Sequence, residues 1–411
     1  MLATLIPLFD DKMEVKAYSI LAKRENTLVN PRYQGTASLD GAGEVDGFEV
    51  VNSIGMDALA SDSELFIEVN NISVFADIPS LCEGDHSRQV LIIDSYVTPE
   101  DIYVNRLKEL KADGYKLAMK KLSPAQFENY KTVLDLCDYI LLDHNKIDIV
   151  KAHLYFSHMY PDIKLIAVNV NSKEDYDKLV SEKSGYDFYE GEFFRMPITS
   201  SDTEVAPLKA TYIQLLNVVN DPDFELTQAA DVIGQDTALV ISLLEMVNRI
   251  TVSSNISSVR QAAALLGQKE LKKWITTAVT RELCADRPSE IARLSMIRAR
   301  FAENLAPSFG MGVASSELFL MGLFSVLNLI LDKPMEEALK LVNVTKDIEN
   351  ALLNRNGKLY PVLDFITNYE TASWQEVFRQ IIVGELDMDE VYKAYLDALV
   401  WYRKLVAPAN K

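Results

Sequence analysis

Short β-rich runs recur between polar, helix-compatible stretches from the start of the chain to about Pro197, and there they stop. They read VKAYSILA, GFEVVN, LFIEVN, QVLIID, KLAMKK, YILLD, KLIAVNV and DFYEG. Several are apolar at both alternating positions, as parallel strands are when helices cover them outside and side chains pack inside. Eight such strands alternating with helices predict an α/β TIM-like barrel. Beyond the break, apolar residues fall at helical spacing, as in Leu226, Ala229, Ala230, Ile233 and then Leu239, Leu243, Leu244, Val247. Asp236 stands as an N-cap before TALVISLLEMV, and Ser257-Ser258 precede VRQAAALL, which stops at Gly267 in a C-cap position. An all-α second half follows. The stretch PITSSDTEVAPL between them carries turn chemistry without either periodicity. The predicted organisation is a barrel over 1–197, a linker over 198–207 and a helical domain over 208–411. A length of 411 residues suits two cores better than one.

The formal net charge of −19 sets a repulsive field against a nucleic-acid backbone, so no direct nucleic-acid partner is expected. Basic clusters such as Lys272-Lys273 or Arg293 to Arg300 read as charged helix faces. Cys82, Cys137 and Cys284 are odd in number and form no Cys-x-x-Cys pair, which argues against a disulfide framework and fits a reducing cytoplasm. The opening MLATLIPLFDDK lacks a basic region and meets Asp10 and Asp11 early, unlike a signal peptide. The most apolar stretch, Leu318 to Leu331, falls short of the ~20 residues that span a bilayer, so a buried helix and no membrane insertion are expected.

The string GYDFYEGEFFRMP, Gly185 to Pro197, resembles the closing segment of EAL domains, barrels that hydrolyse the bacterial second messenger cyclic di-GMP. GYKLAMKKL is similar to the segment that carries that family's paired aspartates, DYILLD to its Lys-x-Asp strand, KLIAVNVNSKED to its late glutamate strand, and AYSILAK to its Glu-x-Leu-x-Arg opening. Past the linker, LTQAADVIGQDTALVISLLEMVNRI and ISSVRQAAALLG resemble HDOD domains, with RARFAENLA, SELFLMGLFSVLN and DIENALLNRNG extending the likeness. The order is that of two-domain EAL/HDOD bacterial signalling proteins.

The resemblance implies a site at the barrel mouth, and most of its ligand positions have changed. Hard divalent cations need several carboxylate and amide oxygens to replace their hydration shell. The opening glutamate position is Ser19, Leu21 is retained, and Lys23 stands where the family has arginine. The metal-binding asparagine falls on Glu68, and the next glutamate falls among Leu91 to Ile93, where Asp94 is the nearest acid. Lys120 and Lys121 replace the paired aspartates, Leu141 the catalytic lysine, Asn171 the late glutamate and Glu190 the closing glutamine, while Asp143 remains. Ammonium groups cannot coordinate a cation. Three readings of the two lysines stay open: one or both point to solvent, they replace a divalent ion by pairing with remnants such as Glu68, Asp143 and Glu190, or they form a basic mouth for a phosphate.

HDOD folds resemble HD phosphohydrolases, which need histidines and aspartates around a metal. All four histidines, His86, His144, His153 and His158, lie in the first half and show no H-x-x-x-H or H-E-x-x-H spacing, so they read as surface or core residues. No phosphate-binding loop, nucleophile elbow or dinucleotide fingerprint occurs. The expectation is a degenerate EAL domain plus an HDOD domain: no catalytic residue, no metal, no cofactor, and signalling by contact with other proteins. A cyclic di-GMP receptor or residual phosphodiesterase is the alternative.

Overall fold

In the computed structural model, the described residues are 1–23, 45–82, 85–181, 184–195, 207–221, 223–250, 256–285 and 289–406. Eight strands close a barrel in sequence order: β1 (Leu2–Phe9), β2 (Val15–Lys23), β3 (Glu64–Glu68), β4 (Gln89–Ile93), β5 (Lys116–Lys120), β6 (Tyr139–Asp143), β7 (Lys164–Val168) and β8 (Phe188–Tyr189). β2 to β8 run parallel, and β1 is antiparallel to both of its neighbours, β2 and β8. Every residue of β4 is buried, as expected for a strand packed on both faces. Inside, Leu8, Ala17, Phe66, Val90, Ala118, Tyr139 and Ile166 meet in one core.

GFEVVN is not a strand: it lies in the helix Asp46–Ile54, which buries Phe48, Val50 and Val51. A six-residue apolar run fits either period, so its pattern alone does not decide. The strand that takes its place is β1, buried along nearly its whole length and preceding every run predicted as a strand. The stretch Leu318 to Leu331 is likewise two buried helices, Ser315–Phe324 and Leu327–Leu331, rather than one. Among the described residues no helix is long and apolar enough to cross a membrane.

Other local signals hold. Asp236 accepts the Leu239 amide at 3.0 Å at the start of the helix Thr237–Ile250, and Gly267 breaks the helical run Val259–Leu283 with φ 71°. Ala229, Ala230, Ile233, Leu239, Leu243 and Val247 are buried. The predicted linker falls almost wholly on 196–206, outside the described residues.

The chain divides into two compact units, and the division departs from a helical domain running unbroken over 208–411. One unit holds Met1–Met196 together with Arg300–Ser316 and Val362–Lys411; the other holds Pro197–Ala299 and Glu317–Pro361. The reason lies on β1. It pairs with β8 only at Phe9↔Tyr189, so among the described residues the rest of that edge has no strand partner. The Ala3 and Leu5 amides donate instead to the hydroxyls of Tyr369 and Tyr395, each at 3.3 Å, while Pro7 has no amide hydrogen to satisfy. Thr4 Oγ1 lies 3.3 Å from the Tyr395 hydroxyl, and Arg195 Nη1 binds Glu370 Oε1 at 2.7 Å. The C-terminal helices thus serve the barrel as a partial ninth strand would.

Removing either hydroxyl leaves a buried amide without an acceptor, which costs roughly 1–3 kcal/mol. Tyr369→Phe and Tyr395→Phe are each expected to lower stability by that amount in urea unfolding; midpoints equal to wild type would mean the edge is not held this way.

Candidate functional site

Alternation along a strand decides which side chains enter the barrel. On β5, Ala118 belongs to the interior core, so Lys116 and Lys120 two residues either side share its face; on β3, Phe66 is interior, so Glu64 and Glu68 share its face. The interior therefore has a charged layer at each end: Lys116 pairs with Glu64, and Lys120 with Glu68. Tyr139 adds a hydrogen bond to Glu64 Oε2 at 2.5 Å in the lower layer.

The upper layer opens into a cavity of about 510 Å³ at the C-terminal ends of the strands, the place where barrels of this kind carry their sites. Eight predicted positions line it: Ser19, Leu21, Glu68, Lys120, Lys121, Leu141, Asp143 and Glu190. Lys23 lines a neighbouring cavity instead, and the Asn171 carboxamide accepts the Glu192 amide at 3.4 Å.

The two lysines have separate fates. The Lys120 side chain is 16% exposed and turned inward to Glu68, while Lys121 is 65% exposed, with its ammonium 3.7 Å from Asp94 Oδ2. Of the two, Lys121 points largely to solvent and Lys120 does not. Lys121 follows the strand in the left-handed conformation, φ 60°, as does Asn169 after β7, φ 63°. Asn169 and Lys146, absent from the sequence-level site, both serve Asp143: its Oδ2 accepts from Asn169 Nδ2 at 3.0 Å and pairs with Lys146 Nζ at 2.7 Å. Burial alone would raise the Asp143 pKa, and these bonds with the Asn145 amide hold it below the usual carboxylate value. The signal that could have found Asn169 is its residue type, which tolerates left-handed backbone.

Glu190 behaves differently. Burial pushes its carboxyl up to about 7; Lys120 pulls it down, and Glu68 and Glu192 push it further up. No hydrogen bond to its carboxyl is found among the described residues. Among those residues there is also no cluster of three or more His, Cys, Asp or Glu side chains able to hold a metal ion.

The histidines take structural positions. His86 stacks on Tyr115 with ring centroids 4.4 Å apart, and His144 Nδ1 lies 3.0 Å from the Val168 carbonyl. The His153 ring occupies the space a Cβ on Gly185 would fill, and His158 is exposed.

Because its folded pKa is raised above the unfolded value, Glu190 contributes stability that is complete below about pH 4.5 and is lost as pH rises through about 7. Glu190→Gln removes this loss and is expected to be more stable than wild type by about 1 to 3 kcal/mol at pH 8 and equal to it near pH 4. Parallel stability–pH curves for the two proteins would contradict the assignment.

The family model described as the HDOD domain matches residues 205–355. The chain is 25% identical over 414 aligned residues to the Uncharacterized protein YuxH of Bacillus subtilis (strain 168), covering 97% of each. It is 26% identical to the Cyclic di-GMP phosphodiesterase CdgJ of Vibrio cholerae serotype O1, covering 96% of this chain and 90% of the relative. Among solved structures, a standalone versatile EAL protein from Vibrio cholerae O395 in its c-di-GMP bound form matches 47% of this chain and 90% of its own, at 13% identity and a TM-score of 0.37. Residues 205–355 match the HDOD domain model, and the same chain carries an eight-stranded closed barrel between Leu2 and Tyr189.

Proposed function

We propose that this chain is a non-hydrolytic signalling protein of a cyclic di-GMP network that acts by contacting other proteins, with the helical domain as the main contact surface and the barrel as a scaffold. One observation carries the reading: the barrel mouth neutralises its own acids. Where catalysis needs adjacent carboxylates to hold a cation, Lys120 and Lys121 stand, one paired with Glu68 and the other facing Asp94. Asp143 is occupied by Lys146 and Asn169. The lysine that would help activate water is Leu141. In the helical domain the absence of histidine beyond His158 removes the usual ligands of an HD-type centre.

A second reading, hydrolysis of cyclic di-GMP, draws its support from the Vibrio relative named as a phosphodiesterase, which aligns with 96% of this chain. The two separate cleanly in one assay. Purified protein incubated with cyclic di-GMP and Mg²⁺ or Mn²⁺ is expected to form no linear product by chromatography. Metal-dependent turnover abolished by a chelator would overturn the first reading; calorimetric binding without turnover would make the barrel a receptor.

A further inference from the structure

Beside the mouth cavity lies a second one of about 470 Å³, whose lining includes Ala372 and Trp374 from the C-terminal part of the chain. The two cavities share Leu21, Glu68 and Lys120 in their linings. The polar part of the common wall is therefore one ion pair. We infer that the Lys120–Glu68 pair is a gate between the barrel mouth and this second cavity, so that displacing Lys120 opens a path from the mouth to Trp374.

Three features make the pair a gate rather than a fixed wall. Glu68 is 46% exposed, and a partly solvated ion pair is weak enough for a competing charge to displace. Lys120 has another acceptor within electrostatic reach, since Glu190 lines the mouth but not the second cavity, and the two groups act on each other. On the other wall the Trp374 ring packs edge-on to Tyr369 at 5.5 Å, the tyrosine whose hydroxyl holds β1, so the indole has a partner that does not belong to the ion pair. The inference rests on the reading of the mouth as a site that neutralises itself without metal, and it adds what that site controls.

The test is made on the full chain with Trp274→Phe and Trp401→Phe, which leave Trp374 as the sole tryptophan. Acrylamide quenching and emission maximum of Trp374 are then compared with Lys120→Met and Glu68→Ala added singly, with far-UV circular dichroism to check folding. Both variants are expected to raise quenching and shift emission to the red, and inorganic pyrophosphate, as the probe anion, is expected to do the same to the parent but not to Lys120→Met. Should Lys120→Met fail to fold, Glu68→Ala and the pyrophosphate titration carry the test. Unchanged Trp374 quenching in folded Glu68→Ala and in the parent with pyrophosphate would overturn the gate. The readout uses neither cyclic di-GMP nor metal, so its failure is separate from the appearance of hydrolysis.

Discussion

A barrel strand with a bare edge is the constraint around which this molecule is built. β8 is two residues long and reaches β1 at one position, leaving the amides of Ala3 and Leu5 buried and in need of acceptors. The chain answers with hydroxyls from helices more than 360 positions away in sequence. That solution ties the stability of the barrel to the far end of the chain and explains why Val362–Lys411 belongs to the compact unit of the barrel. The HDOD match ends at 355, so the C-terminal helices lie beyond it in sequence as well.

The same physical logic governs the mouth. Carboxylates gathered at the end of a barrel repel one another unless a cation sits among them. Here the cations are supplied covalently, by Lys120, Lys121 and Lys146, each within 4 Å of one of the acids. Glu190 is the acid without such a bond, and its raised pKa is the expected result of leaving one carboxyl over.

Much of this was legible in the sequence, and the gaps have identifiable causes. The barrel class followed from runs apolar on both faces, and β3 to β7 fall where those runs stand. β1 escaped because LATLIPLF carries no alternation and sits where a leader would be looked for; GFEVVN misled because six residues do not separate period 2 from period 3.6. Which residues would face the mouth was readable from the motif positions for most of the site. The direction of Lys120 was also readable in principle, because KLAMK places lysine, alanine and lysine on one face. The partners of Asp143 were not, since Lys146 and Asn169 come from different loops that only the closed barrel brings together. The tyrosine clamp was equally hidden: no local pattern announces that a hydroxyl in a C-terminal helix will take the amide of residue 3.

The paired charges at both ends of the barrel interior have a consequence for how the strands find their alignment. β5 carries Lys116 and Lys120, and β3 carries Glu64 and Glu68, at the same four-residue interval. Sliding β5 by one residue would turn Leu117 and Met119 inward and both ammonium groups out under the surrounding helices. Sliding it by two would leave one lysine facing apolar walls and one glutamate bare. The two pairs work as pegs in matching holes, fitting together in one arrangement and penalising its neighbours. Even weak bridges of this kind can select a single register, as a buried polar residue does in a coiled coil.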